Sequence, residues 1–404
     1  MLKLSKYGSY AGNPIEEEDK LANSIASKGK KVLRLHRGDP AAYFPTPKYI
    51  VNAYLHALRS GKTGYSFHAG ITELREAIAK RHRRLRHLNA DPENVLVTQG
   101  VSEAIMFLSA SLTDPGDMAI IFRPYYVLYP TCLEVEGGVP IYVDCKEEDR
   151  FRINPDNLRK ALKSSRGKRI KFMIFSNPSN PTGSVTRKQE LSEIVDIAND
   201  NDIFIVSDEI YDELVFNGAK FTSLSEVSKG VPSVIFGGAS KGFDSTGFRI
   251  GYAIFPETDR FSKEVRERMA KYAQMRLSSN TPAQYAFARA LNDMSIHQKT
   301  VASMVKMIEK RANFTSDLIN ESEFMSSARP EGAFYALARI NMQKIRFKND
   351  EDLSRRLLIE EGVQITRGSG FGAPGHIRIV TLAPENQLEL AIRKINKFFV
   401  RHSK

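Results

Sequence analysis

Ile170-Lys171-Phe172-Met173-Ile174-Phe175-Ser176-Asn177-Pro178-Ser179-Asn180-Pro181-Thr182-Gly183 is the stretch whose reading settles the fold class. Its first half is a nearly continuous apolar run, too short for a helix of ordinary length and without the alternation of a half-solvated strand. Such runs belong to strands covered on both faces. Its second half is a loop punctuated by Asn and Pro that opens where the strand ends. The same arrangement recurs twice: 203–206 runs into Ser207-Asp208-Glu209-Ile210-Tyr211, and 233–236 runs into Gly237-Gly238-Ala239-Ser240-Lys241. An open α/β sheet binds ligands outside the carboxyl ends of its strands. An amide, a carboxylate, a phenol and an amine are therefore expected to converge on one crevice.

Working outward, further strands are expected at 95–98, 118–122 and 139–143. Helical patterns cover 70–88, 102–112, 188–199, 259–273 and 281–291. This alternation is the signature of α/β architecture. The stretch 13–45 has no clear alternation. Beyond about residue 293 the pattern changes to a long helix over 301–319 and shorter segments at 332–340, 354–361 and 376–382. The organisation expected is an N-terminal arm and part of a small domain over 1–45, a large domain over 46–292 and a small C-terminal domain over 293–404, the small domain drawing on both chain ends.

Composition excludes several classes. The 404 residues are 42% hydrophobic and 26% charged, as in ordinary globular proteins. No apolar stretch approaches the ~20 residues of a membrane helix, and Met1 to Gly8 lacks the apolar core of a signal peptide. Two cysteines, Cys132 and Cys145, cannot staple such a chain; free thiols point to a reducing, cytoplasmic setting. The net charge of +12 gathers most densely in Lys80-Arg81-His82-Arg83-Arg84-Leu85-Arg86-His87. Leu74, Ile78, Leu85 and Leu88 can share one helical stripe, which assigns those basic residues to the solvent side. Without zinc-finger spacing or an RNP-like aromatic pattern, no nucleic-acid partner is expected. A dinucleotide enzyme would want Gly-x-Gly-x-x-Gly after its first strand, and none is found.

A lysine, an aspartate, an asparagine, a tyrosine and two arginines converging on one crevice suit pyridoxal phosphate. That cofactor needs an amine for its aldehyde, a carboxylate for its pyridine nitrogen, donors for its phenolate oxygen and a cup for its phosphate. An amino-acid substrate adds the need for a guanidinium to hold its α-carboxylate bidentately.

Asn177-Pro178-Ser179-Asn180-Pro181-Thr182-Gly183, then Asp208-Glu209-Ile210-Tyr211, then Ser240-Lys241 with Gly247-Phe248-Arg249-Ile250-Gly251-Tyr252, resembles the class I/II aminotransferases of fold type I. The resemblance runs from Leu35-His36-Arg37-Gly38-Asp39-Pro40 to Gly375-His376-Ile377-Arg378-Ile379. It implies a large domain with a mostly parallel seven-stranded sheet between helices, a smaller α+β domain, and a homodimer with shared active sites. It also implies roles. Lys241 binds the cofactor aldehyde and moves the substrate α-proton, Asp208 pairs with the ring nitrogen, and Tyr211 and Asn180 face the phenolate oxygen. Arg249, with Gly100, Val101 and Ser102 at a helix start, holds the phosphate. Tyr65 reaches that phosphate from the neighbouring subunit. Tyr126 stacks on the ring, with Tyr125 the competing choice. Arg378, Gly38 and Asn180 meet the substrate. Gly238 stands where many relatives carry a phosphate-binding serine, so that contact is expected to be missing.

The implied reaction is a ping-pong transfer from an L-amino acid to a 2-oxo acid such as 2-oxoglutarate. Arg276-Leu277-Ser278-Ser279-Asn280-Thr281-Pro282 and the 35–40 segment look most like alanine-type members. Aspartate, aromatic or broad specificity stays open, as do a lyase or a cyclopropane-forming synthase on the same residues. A lysine that some aspartate enzymes place near Ser102 is absent. Arg276 and Arg367 are candidate ligands for a second substrate carboxylate, a salt bridge being the plainer reading of Arg367.

Overall fold

A computed structural model describes residues 6–10, 13–88, 90–165, 169–228, 230–256 and 259–404. After a short strand, β1 (Leu33–Arg34), the chain builds its main sheet from β2 (Val95–Thr98), β3 (Met118–Arg123), β4 (Val139–Asp144), β5 (Ile170–Ser176), β6 (Phe204–Asp208), β7 (Ser233–Gly238) and β8 (Gly251–Ile254). Their order across the sheet is β2-β8-β7-β6-β5-β3-β4. Only β8 runs against its neighbours; the pairs among β3 to β7 are parallel.

The continuous apolar runs are explained by what covers them. Successive residues of β5 alternate between two packed layers. Met173 and Phe175 join one with Leu74, Ile78 and Phe287, while Phe172 and Ile174 join the other with Leu108, Val265 and Met269. With helices on both faces, neither face of the strand can be polar. The sheet carries one strand more than the sequence patterns mark out. β8 has four residues, opens on glycine and follows Arg249 and Ile250 directly, so it carries little pattern of its own.

Beyond residue 293 lie β9 (Met325–Ser327), β10 (Tyr335–Ile340), β11 (Val363–Gln364), β12 (Thr366–Arg367) and β13 (His376–Val380). β12-β13-β10-β9 form an antiparallel sheet, and β11 takes β1 as its parallel partner. Leu33 and Leu35 from the start of the chain share an apolar cluster with Leu357, Ile379 and Phe398 from its end. The stretch 13–45, which shows no clear alternation in sequence, holds a helix, Asp19–Ser27, and the short strand β1. No helix of the described residues is long and apolar enough to cross a membrane.

One expectation is corrected. The helix Thr72–Arg86 does not keep all its basic residues in solvent. Lys80, Arg83 and Arg84 are exposed, but Arg81 is only 4% exposed and His82 is buried beside it. Arg81 meets Asp212 at 2.8 Å and Glu213 at 3.4 Å, Arg86 meets Asp212 at 2.8 Å, and His82 Nε2 lies 3.0 Å from the Tyr252 hydroxyl. The carboxylates that make this burial tolerable come from the segment after β6. A hydrophobic stripe counted on the helix alone cannot register them.

Candidate active site

The carboxyl ends of β5, β6 and β7 open on one cavity of about 310 Å³. β5 delivers Ser176 and then Asn180. β6 ends on Asp208, followed by Ile210 and Tyr211. β7 leads to Ser240 and Lys241, and β2 leads into the helix Val101–Leu112, whose first residues Val101 and Ser102 reach the cavity. Tyr335 on β10, Arg378 on β13 and the 37–39 segment after β1 complete the wall. The site thus lies where the two sheets meet, which is why its residues are spread along the chain.

Lys241 sits at the floor, its Nζ donating to the Gly38 carbonyl at 2.7 Å. Burial lowers the pKa of its ammonium to about 8, helped by Arg249 and Arg378 and opposed by Asp39 and Asp208. An amine held there is a better nucleophile at neutral pH than an ordinary lysine. Asp208 is fully enclosed, and burial raises its carboxyl to about 6. The rise is restrained by the Tyr129 hydroxyl, which donates at 2.9 Å, and by the Ile210 N–H at 3.2 Å. At neutral pH Asp208 therefore remains mostly a carboxylate, suited to a cationic ring nitrogen. The Tyr211 hydroxyl shares a 2.7 Å hydrogen bond with that of Tyr335.

Arg378 is only 1% exposed. Its Nη1 donates to Asn180 Oδ1 at 2.9 Å and its Nη2 to the His36 carbonyl at 2.5 Å. Its guanidinium lies 4.6 Å from the Tyr335 ring centroid and 4.4 Å from that of Phe371. Nε has no partner, and no carboxylate of the described residues pairs with this guanidinium. A buried, oriented cation left with neutral neighbours is poised for an incoming anion. The same contact fixes Asn180: with Oδ1 accepting from Arg378, its amide NH₂ is left to donate elsewhere.

The phosphate candidates form a cup. Gly100 precedes the helix Val101–Leu112 with φ 76°, and no side chain caps the first turn. Its amides are thus free for an anion. Arg249 adopts a left-handed backbone, φ 56°. Its Nη2 donates to the Gln99 carbonyl at 3.2 Å. A Cβ on Gly100 would stand 2.5 Å from that nitrogen and push the guanidinium aside, and the φ of 76° itself favours glycine. Gly238 has a similar explanation. A Cβ there would lie 2.7 Å from the Ile250 carbonyl and 2.9 Å from Gly251 Cα, so a serine would not fit without movement of β8. Ser240, two residues on, lines the cavity instead. The amine, the carboxylate, the amide and phenol donors and the anion cup together fit pyridoxal phosphate.

The remaining candidates sort as follows. Tyr126 lines the cavity, whereas Tyr125 stacks on Tyr142 with ring centroids 5.4 Å apart. Tyr65 is 84% exposed and does not line the cavity of its own chain. Arg276 is held by Glu103 at 3.3 Å and by the Val97 carbonyl, and Arg367 by Glu17 at 2.5 Å. Neither lines the cavity. Sequence reading did not single out Tyr335 and Arg37, which line the cavity, or Tyr129, which donates to Asp208. Tyr129 stands three residues after Tyr126, but nothing local links it to Asp208.

This combination of a mostly parallel sheet with a buried lysine, aspartate and arginine site at its strand ends defines a fold type I transferase. The chain matches the family model of class I and II aminotransferases over residues 30–395. It is 34% identical to the aspartate aminotransferase of Bacillus subtilis over 95% of both chains. Among solved structures it superposes on an alanine aminotransferase from Pyrococcus furiosus with a TM-score of 0.93 and 33% identity, covering 99% of this chain and 100% of the other. The aspartate aminotransferase of Thermus thermophilus gives 0.90 and 32%, covering 98% and 100%. The chain belongs to the class I and II aminotransferases, and it is an aminotransferase.

Proposed function

We propose that the chain binds pyridoxal phosphate on Lys241 and moves an amino group from an L-amino acid, alanine-like by preference, to a 2-oxo acid such as 2-oxoglutarate. The observation that carries this reading is the buried Lys241 amine in the same cavity as Asp208, Tyr211, Asn180, Arg249 and the unpaired Arg378. When bound, the cofactor supplies an aldehyde for the amino group and a protonated ring that draws electrons from the substrate α-carbon.

The chain's own residues do the rest. Asp208 keeps the ring nitrogen protonated, and Tyr126 covers the ring face. Tyr211 and the Asn180 amide donate to the phenolate oxygen. Arg249 and the amides of Gly100, Val101 and Ser102 hold the phosphate, with Tyr65 added from a second copy of the chain. Arg378 fixes the substrate α-carboxylate and Gly38 lets it approach closely. Lys241 Nζ, freed by the incoming amine, takes the α-proton. One 2-oxo acid leaves before the next enters, because both half-reactions use the same Arg378. The domain division at residues 45 and 292 is part of this reading, the large unit serving the cofactor and both chain ends serving the substrate.

An absorption spectrum of the protein incubated with pyridoxal phosphate tests it. A near-visible band is expected to fade with L-alanine and return with 2-oxoglutarate. Fading with L-aspartate but not alanine would favour the aspartate reading, suggested by the relatives named aspartate aminotransferases. Lys241→Ala is expected to form no such band and to lose turnover by about 10⁴-fold or more. A wild-type protein without a band would overturn the cofactor assignment.

A further inference from the structure

Four cationic side chains among the described residues line the cavity: Lys241, Arg249, Arg378 and Arg37. The first three have roles as amine, phosphate ligand and α-carboxylate ligand. Arg37 has none. It sits between two backbone carbonyls already committed to the site, that of His36 on Arg378 and that of Gly38 on Lys241. Its side chain is half exposed at the cavity mouth.

The contacts of Arg37 show what it can bind. Nη2 donates to Asp19 Oδ2 at 2.7 Å and lies 3.3 Å from Glu16 Oε1. Asp19 is itself tied down by the Gln364 amide, which donates to its Oδ1 at 2.8 Å, so it orients the guanidinium. Glu16 differs. Its side chain is 58% exposed, its contact is the longer one, and it lines the same cavity. An exposed pair of that kind contributes little and is readily exchanged. Arg276 and Arg367, the other candidates for a second carboxylate, lie outside the cavity and are held by Glu103 and Glu17.

We infer that Arg37 is the residue that reads the second carboxylate of a dicarboxylic substrate, taking it in place of Glu16. The inference rests on the proposed function, in which Arg378 holds the first carboxylate. It answers a need of the two half-reactions: one cavity must accept a monocarboxylic acid in one and a dicarboxylic acid in the other. With a monocarboxylic substrate Arg37 keeps both Asp19 and Glu16; with a dicarboxylic one the ligand replaces Glu16 while Asp19 stays in place.

The test uses unreactive acids on the pyridoxal-phosphate-loaded protein, titrated calorimetrically. Glutarate, with two carboxylates, is expected to bind at least tenfold more tightly than butyrate, with one. Arg37→Gln should bring that ratio close to one. Glu16→Gln, which removes the competitor and leaves Arg37 in place, should tighten glutarate severalfold. Steady-state kinetics should follow, the ratio of kcat/KM for 2-oxoglutarate over pyruvate falling tenfold or more in Arg37→Gln. A ratio that Arg37→Gln leaves unchanged overturns the assignment of Arg37 alone, as does equal binding of the two acids by the wild type. A wild type that binds neither acid overturns the assignment of Arg378 and this one with it.

Discussion

The six residues from Asp208 to Glu213 face two regions that treat buried charge in opposite ways. Toward the cavity the segment presents Asp208, Ile210 and Tyr211. Toward the helix Thr72–Arg86 it presents Asp212 and Glu213. Behind, Asp212 has two guanidiniums at 2.8 Å, and Arg81 and Arg86 hold its carboxyl well below the usual range despite burial. In front, Asp208 has a phenol and an amide for company and its carboxyl is pushed up to about 6. The rear charges are paired with opposite charges, although the Nε atoms of Arg81 and Arg86 find no partner. The front charges, Asp208, Lys241 and Arg378, have been taken out of water without full payment, and that deficit is what a ligand can make good. Burial alone does not separate a structural from a functional charge; the presence of an opposite charge in direct contact does.

Three substitutions would break or sharpen this contrast. Arg81→Ala should do the most harm to the fold, leaving Asp212 and Glu213 with a lost partner in the interior at a cost of about 3–5 kcal/mol. Chemical denaturation measures it. The folded fraction should bind pyridoxal phosphate as the wild type does, and adding Asp212→Asn should recover part of the loss.

Asp208→Asn should do the reverse in the cofactor-free protein. Asp208 has a folded pKa raised from 3.8 to about 6, so between those values the folded chain holds a proton that the unfolded chain has lost. Stability therefore falls as pH rises through this window, and the full penalty is present above it. The asparagine variant should be more stable than wild type by about 1–3 kcal/mol at pH 7.5, with a smaller difference at pH 5, while turnover collapses. Urea denaturation at the two pH values checks the sign. A variant less stable than wild type at pH 7.5 would place Asp208 among the satisfied charges.

Tyr129→Phe should have the smallest effect. It removes the phenol that donates to Asp208, a contact that lowers the carboxyl's pKa. Activity at pH 7 should fall up to about tenfold, and the acid limb of the pH profile should move up by about one pH unit. A fall in activity with no movement of that limb would make the contact one of packing only.

The same contrast explains what was legible from sequence. Asn180, Asp208 and Lys241 follow directly after buried strands, so a local pattern of an apolar run and then a polar loop places them. Tyr129 meets Asp208 across 79 positions and Tyr335 meets Tyr211 across 124, and nothing beside either tyrosine announces the meeting. Arg81 failed for the same reason, since its carboxylate lies 131 positions away. Reading a charged residue as solvated assumes that no partner arrives from elsewhere. Arg378 was placed only by its resemblance to a family position, because an arginine on an alternating strand otherwise reads as surface. β8 was missed because four residues opening on glycine have no period to detect.

The pairing of β1 with β11 bears on how the molecule is made. Arg34 and Gln364 meet across 330 positions, so the ribosome must deliver nearly the whole polypeptide before this contact can form. The residues proposed to hold the cofactor end at about Arg249 and emerge much earlier. During synthesis the cofactor half of the site can therefore assemble ahead of the substrate half, whose mouth waits for the last strands. A nascent chain stalled after β8 would have made its anion cup and its lysine but would still lack Arg378, and the strand that fixes the position of Arg37 would be unpaired.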